Sequence, residues 1–178
     1  MAEARATAST AQREFGTLSP AQWNWKPAAG EWSIAQCVDH LVISAEAYVP
    51  TVRAIHAGTK RATVWERLPL LPALFARLVL RALDPDAGRN VKAPAILEPS
   101  ASAIDPGVLQ RFVAAQNELA GLMAATHPAK LATRVTSPVS PVVTYSLLDA
   151  YRIIVVHTHL HLRQARAVAA SRGFPQAA

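Results

Sequence analysis

Apolar residues recur with helical spacing in four long segments of the chain. The spacing predicts helices over roughly residues 3–17, 33–58, 105–127 and 146–173. No segment alternates polar and apolar residues clearly enough to predict a strand. The stretch between the first two helices contains Pro20, Pro27 and Gly30, so it is expected to be irregular.

The second helix has well-defined start and stop signals. Ser33 and Gln36 have the spacing of a capping box, in which each side chain binds the backbone N–H of the other residue. Pro50 predicts a kink or a restart, because proline removes a hydrogen-bond donor and crowds the preceding turn. Gly58 is expected to end the helix.

The third and fourth helices also carry recognisable start signals. Asp105 followed by Pro106 predicts a cap and the first position of the third helix. Ser146, with Asp149 three residues later, predicts the start of the fourth. Pro138 and Pro141 indicate an open connection between these two helices.

Residues 66–83 are apolar along one side and predict a short extra helix, which would form a lid over the core or a dimer face. An amphipathic helix at a membrane surface is the alternative. Residues 84–104 contain several prolines and predict a long crossover loop. The predicted fold is therefore all-α: a four-helix bundle with a long crossover and a short extra helix, forming a single domain over residues 1–178.

Composition and charge restrict the classes of function. With 178 residues, 51% of them hydrophobic, the chain has ample apolar material for one core. The net charge is +6, but the basic residues are spread along the chain, so no nucleic-acid groove is predicted. No window reaches the roughly 18 apolar residues of a membrane span. A single cysteine, Cys37, fits a reducing compartment, and we expect a cytoplasmic protein.

Two histidines lie on the side of the fourth helix that a bundle buries. His161 belongs to a seven-residue series of core positions, and His157 belongs to a second series beside it with Gln164. The spacing of four residues places both imidazoles one turn apart, as in helices that share a zinc ion. Two core histidines bound to backbone or hydroxyl groups are the alternative. Desolvation favours a metal, because buried imidazoles need partners.

His40 lies in the middle of the second helix beside apolar positions and can face the fourth helix. It would complete a three-histidine metal site with His157 and His161, leaving coordination positions open. Cys37 is a possible fourth ligand, although a small buried hydrophobic role is the more common one. Asp39 and Glu46 are nearby candidates for hydrogen-bond acceptors or a general base. Outside the trio, His159 faces away, and exposed positions are expected for His56 and His127.

Three stretches of the sequence resemble the DinB-like superfamily of metal-binding four-helix bundles. They are W-x-P…G-x-W-S-I-A-x-C-x-x-H-L from Trp25 to Leu41, K-A-P…L-x-P from Lys92 to Pro99, and S-x-x-D…H-x-x-x-H-L-x-Q from Ser146 to Gln164. The resemblance implies one long crossover and a metal held by His40, His157 and His161. It agrees with the trio that spacing and burial predict.

Members of this superfamily include thiol-dependent transferases or isomerases and metal-dependent hydrolases. The resemblance therefore implies a metalloenzyme of transferase or hydrolase type that acts on a small molecule. Zinc or nickel would be the metal, and a low-molecular-weight thiol the cosubstrate. A metal with open positions suits both chemistries, because it lowers the pKa of a bound water or thiol. The alternative is a non-catalytic stress or interaction protein that retains the bundle. In either case we expect a homodimer and no nucleic-acid or membrane partner.

Overall fold

Four long helices form the body of the protein in a computed structural model that describes residues 2–68, 72–83 and 97–176, with side chains from residue 6 onward. In chain order the elements are α1 (Ala2–Phe15), α2 (Pro20–Asn24), α3 (Ile34–Ala57), α4 (Val64–Arg67), α5 (Pro72–Ala82), α6 (Val108–Ala125), a 3-10 turn (Pro128–Lys130), β1 (Arg134–Ser137), β2 (Ser140–Ser146) and α7 (Leu147–Ala169). The long helices α1, α3, α6 and α7 are the four that the hydrophobic spacing predicts. The all-α fold class is confirmed.

The bundle packs around α3, which contacts both α6 and α7. Early residues of α3, such as Ile34 and Val38, share a buried cluster with Leu162 and Ala165 late in α7. Later residues of α3 pack instead with the first half of α7. The two helices therefore run antiparallel, and residues in the first half of α3 face the second half of α7.

The predicted helix caps of α3 and α7 are confirmed. Ser33 accepts a hydrogen bond from the Gln36 N–H at 3.2 Å, and the Gln36 side chain accepts one from the Ser33 N–H, also at 3.2 Å. Gly58 ends α3 in the left-handed conformation, with φ of 71°. Ser146 caps α7 by accepting from the Asp149 N–H at 3.0 Å. These local contacts fix where the two histidine-bearing helices begin.

The predicted restart at Pro50 was wrong, because α3 continues through it to Ala57. Pro50 and Glu46, four residues earlier, are both exposed. The carbonyl that loses its partner at Pro50 therefore lies on the solvent side, where water can bind it.

The linker before α3 is not wholly irregular, since it contains α2. Ser19 and Gln22 form a second complete capping box, and Pro20 occupies the start of the helix. Pro20 was interpreted as a helix breaker, yet at this position its missing N–H has no helical partner to lose.

A β-hairpin lies where an open connection was expected. β1 and β2 pair antiparallel, with Val135 opposite Tyr145 and Ser137 opposite Ser140. The turn between the strands contains Pro138, and Pro141 lies exposed in β2. In a two-stranded sheet both strands are edges, so a proline can occupy one without breaking a ladder hydrogen bond.

The predicted extra helix over residues 66–83 is two helices, α4 and α5. Thr63 caps α4, and α5 packs on β2 and α7. Residues 69–71 and most of the predicted 84–104 loop lie outside the described part of the chain. The third helix begins at Val108 rather than at Pro106, because the Asp105 side chain accepts from the Gly107 N–H at 2.7 Å and forms a turn instead.

Glu66 joins α4 to the hairpin through a buried polar group. Its carboxylate accepts hydrogen bonds from Lys60, from the Thr63 N–H at 3.0 Å and from the Thr136 hydroxyl at 2.9 Å. Burial by itself would raise the pKa of Glu66, but these donors outweigh it and lower the pKa. We call Lys60, Thr63, Glu66 and Thr136 the Glu66 cluster. Among the described helices none is both long and apolar enough to cross a membrane.

Candidate metal centre

Three imidazoles from two helices meet inside the bundle. His40 from α3 and His157 and His161 from α7 offer ligand nitrogens that all lie within 4.8 Å of one another. The ring centroids are 4.4–4.8 Å apart. His40 is buried and the other two are partly buried. Antiparallel packing of α3 on α7 produces this meeting, because it places the first half of α3 beside the second half of α7.

Hydrogen bonds orient two of the three rings. Nδ1 of His40 hydrogen-bonds the carbonyl oxygen of Leu97, and Nδ1 of His161 bonds Oε1 of Gln164 at 2.9 Å. Both partners are acceptors, so each Nδ1 carries the proton and each Nε2 presents a lone pair. Nε2 of His40 lies 2.9 Å from Nε2 of His157. A metal-binding histidine commonly has this arrangement, in which the second ring nitrogen is held by a carbonyl.

The surroundings keep all three imidazoles neutral. Burial lowers the pKa of His157 to about 2, with further lowering from His161 and His40. Burial and the neighbouring His40 lower the pKa of His161 to about 4, against a smaller opposing effect of Gln164. Burial also lowers the pKa of His40, despite its bond to Leu97. Neutral imidazole is the form that binds metals, so at neutral pH the cluster is ready to do so.

Trp32 covers one side of the cluster. Its ring stacks on His161 with centroids 5.6 Å apart, and it lies tilted against His40 at 5.0 Å. This residue immediately precedes the cap of α3, so the same local turn that starts the helix also positions the indole. Aromatic contact from Trp32 excludes water from that side and limits the freedom of both rings.

A cleft of about 1200 Å³ opens beside the cluster. His40, His157 and His161 all line it, together with Trp32 and Gln164. The cleft is large enough for a small organic molecule next to the histidines. A site of this kind is accessible to a reactant, whereas a purely structural metal site is closed.

The structure separates the other histidines from this trio. His159 and His127 are exposed, as predicted. His56 was also expected to be exposed, but it is partly buried and its Nε2 bonds the Thr126 hydroxyl at 2.8 Å. That bond gives His56 a structural partner between α3 and the end of α6.

The other candidate side chains lie away from the cluster. Cys37 is fully buried among apolar residues, and burial raises the pKa of its thiol to about 12. The Asp39 carboxylate accepts from the Ser100 N–H at 2.7 Å and faces Arg111 at 3.8 Å. Glu46 also faces Arg111, at 3.6 Å. Both carboxylates face Arg111 rather than the imidazoles. For Asp39 this agrees with the helix geometry, which turns it away from His40.

Sequence reasoning missed three groups that support the cluster. Gln164 stood in the predicted buried series, but its hydrogen bond to His161 was not anticipated. Trp32 appeared only within the Trp25–Leu41 stretch of the family resemblance. The Leu97 carbonyl is a backbone atom, so its position carries no side-chain signal; only the Lys92–Pro99 stretch in the family resemblance pointed to that part of the chain.

The fold and the cluster together define an all-α bundle with three converging histidines beside a cleft. A family model described as the DinB superfamily matches residues 3–165. The match covers most of the chain, and the protein belongs to the DinB superfamily. No match to the chain was found among curated proteins or among solved structures.

Proposed function

We propose that the protein is a metalloenzyme of transferase or hydrolase type in which His40, His157 and His161 hold a divalent transition metal. The observation that carries the proposal is the convergence of three neutral imidazoles beside a cleft. Membership of the DinB superfamily is compatible with a metalloenzyme. Imidazole nitrogens suit zinc and nickel, which are the metals we propose.

The residues present fit such an ion. Leu97 and Gln164 hold the protonated Nδ1 atoms of His40 and His161, so both rings direct an Nε2 lone pair away from these partners. The lone pair of His40 accepts from Nε2 of His157 at 2.9 Å, a contact that a bound ion would replace. Three neutral ligands leave the positive charge of the ion largely uncompensated, and a bound divalent metal would act as a Lewis acid toward a water or a thiol. Trp32 shields the cluster from water on one side, while the cleft admits a substrate on another.

A small-molecule substrate and a low-molecular-weight thiol cosubstrate are parts of the same proposal. The cleft supports the first, because its volume suits a ligand of that size. Thiol transfer and hydrolysis both need an activated nucleophile beside an electrophile, and the open side of the cluster provides room for both. The cleft also favours an enzyme over the non-catalytic alternative, which would have an occluded site.

Homodimerisation, cytoplasmic location and the absence of nucleic-acid and membrane partners stay predictions.

Elemental analysis of the untagged protein tests the metal. We expect near-stoichiometric zinc, nickel or another divalent transition metal in the wild type. Alanine at position 40, 157 or 161 should weaken binding by about 100-fold or more, because each change removes a direct ligand. His159→Ala is the matched control, since this histidine lies on the same helix but is exposed.

Unchanged metal content in all three variants would refute the site. A wild-type protein that takes up no metal at neutral pH would do the same. A loaded protein that is inactive in both thiol-transfer and hydrolysis assays would leave the metal site standing and refute the enzyme class.

A further inference from the structure

The cleft continues from the histidines along the facing surfaces of α3 and α7. Its middle part is apolar and is lined by Leu41, Ala45, Ile153, Ile154 and Val143. Such walls favour the hydrocarbon part of a ligand. The cleft therefore has a polar end at the histidines and an apolar continuation.

Hydroxyl groups lie at the far end of this continuation. The phenol oxygens of Tyr48 and Tyr145 are 2.6 Å apart, and Ser137 lies beside Tyr145. All three residues line the cleft. Burial raises the pKa of both phenols, so they remain protonated at neutral pH. The two phenol protons serve one contact between the two oxygens, so one proton is available to an acceptor outside the pair.

Ser44 adds a second unused hydroxyl to the same cleft. It is 7% exposed, and its Oγ has no hydrogen-bond partner within the described part of the chain. A buried hydroxyl without a partner is destabilising, so such groups are rare unless a ligand or water binds them. Ser44 lies four residues after His40 and four before Tyr48, so all three lie on one face of α3.

We propose that Ser44 and the Ser137–Tyr48–Tyr145 hydroxyl group form a binding subsite for a neutral oxygen function, such as a carbonyl or a hydroxyl, on an otherwise apolar small molecule. The described residues of this part of the cleft carry no charge that would favour an anion or a cation. The oxygen would lie about 6–12 Å along α3 from His40, which is the rise of one to two helical turns. Only the assignment of the histidine end as the reacting end rests on the proposed function.

Three probes of nearly identical shape test the subsite. Benzylacetone carries a ketone, isopentylbenzene is its hydrocarbon counterpart and hydrocinnamate is its carboxylate counterpart. Binding to the metal-free protein would be measured by titration calorimetry or by ligand-observed NMR. We expect the ketone to bind at least about tenfold more tightly than either of the others, since one satisfied buried hydrogen bond is worth about 1.4 kcal/mol.

Substitutions locate the preference. Ser44→Ala should reduce the advantage of the ketone to less than about threefold, and so should the double variant Tyr48→Phe with Tyr145→Phe, because it removes both phenol protons. Tyr151→Phe is the matched control, because the Tyr151 hydroxyl bonds Thr126 at 2.7 Å outside the cleft lining. His157→Ala should keep the preference, so failure of the metal site and failure of the subsite are distinguishable.

Several outcomes would overturn the subsite. For the wild type, these outcomes are no binding of any probe at millimolar concentration, tightest binding of the carboxylate, or equal binding of the ketone and the hydrocarbon. For the variants, the contradicting outcome is a ketone preference that survives both the change at Ser44 and the change at the tyrosines. Loss of the preference in His157→Ala would place the oxygen at the histidines instead and would also contradict the proposal.

Discussion

The histidine cluster and the Glu66 cluster both place polar side chains away from bulk water, but their hydrogen bonding differs. The Glu66 carboxylate receives three donors, one of which is the ammonium group of Lys60. The histidine cluster brings three uncharged rings together without a carboxylate, and two Nε2 lone pairs face its centre. The Glu66 carboxylate has its hydrogen-bond partners within the protein, whereas the histidine cluster can still bind a further atom through its ring nitrogens.

This difference distinguishes a structural role from a binding role. The Glu66 carboxylate is paired with Lys60, and its hydrogen bond from Thr136 connects α4 with the hairpin, so it needs nothing from outside. Converging nitrogens beside a cleft incur the cost of desolvation without a full set of partners. Proteins keep such arrangements where a ligand provides the missing contacts.

The two clusters should affect the stability of the protein in different pH ranges. The largest change in the free energy of unfolding that we expect comes from the histidine cluster. Below pH 6.5 the unfolded chain protonates its histidines, while the folded protein keeps His157 and His161 neutral down to pKa values of about 2 and 4. The unfolded state therefore gains protons that the folded state does not, and stability falls as the pH falls. For two such groups the loss is about 4 kcal/mol between pH 8 and pH 5.

Urea denaturation of the metal-free protein measures this loss. The lowered pKa of Glu66 acts in a separate window, because its contribution is lost only as the pH falls below the ordinary value of 4.5. A double variant with leucine at positions 157 and 161 should therefore flatten the dependence between pH 6.5 and 5. A flat wild-type profile, or an unchanged slope in the double variant, would contradict neutral burial of these rings.

Removing the carboxylate of Glu66 should cause the next largest effect. We expect Glu66→Ala to lower the free energy of unfolding by about 3 kcal/mol, since Lys60 is left mostly buried without its partner. Chemical denaturation at pH 8 measures the change, and metal content should not respond. Glu14→Ala is the matched control, because the exposed Glu14–Arg166 pair should contribute less than about 1 kcal/mol. Equal losses in the two variants would show that the Glu66 cluster is not specially stabilising.

Replacing a histidine by a residue of similar size should have the smallest effect on stability. We expect His157→Leu in the metal-free protein to change the free energy of unfolding by less than about 1 kcal/mol, since relief of the desolvation cost offsets the lost contact with His40. The same variant should lose its metal. A loss of more than about 2 kcal/mol would show instead that His157 stabilises the fold as Glu66 does.

The histidine trio was predictable because the period of a helix determines on which side of the helix each side chain lies. His157 and His161 lie one turn apart on the side of α7 that the repeating Leu147 and Ile154 positions bury, and both of those residues are buried. The start of α3 was predictable for a similar reason, since a capping box is a local contact between Ser33 and Gln36. Helical periodicity and capping boxes can both be recognised from residues that are close together in the sequence.

The remaining features depend on contacts that local sequence does not encode. Pro138 and Pro141 were interpreted as signs of an open connection, yet Val135, Val143 and Thr144 around them have the β-branched character of a hairpin. Tertiary contact with α5 and the Glu66 cluster favours the strands despite the prolines. Likewise, the bond of His40 to a backbone carbonyl of residue 97 spans 57 positions and involves an atom that every residue type shares.

The contact between His40 and His157 joins residues 117 positions apart in the chain. During synthesis, His40 leaves the ribosome long before the last helix has been translated. A growing chain therefore has one imidazole on α3, and the other two imidazoles of the cluster reach it only when α7 docks. Contacts between residues so distant in sequence require most of the intervening chain to be ordered first. An ion at this position would be acquired by the nearly finished protein, and its retention would report that the last helix has docked correctly.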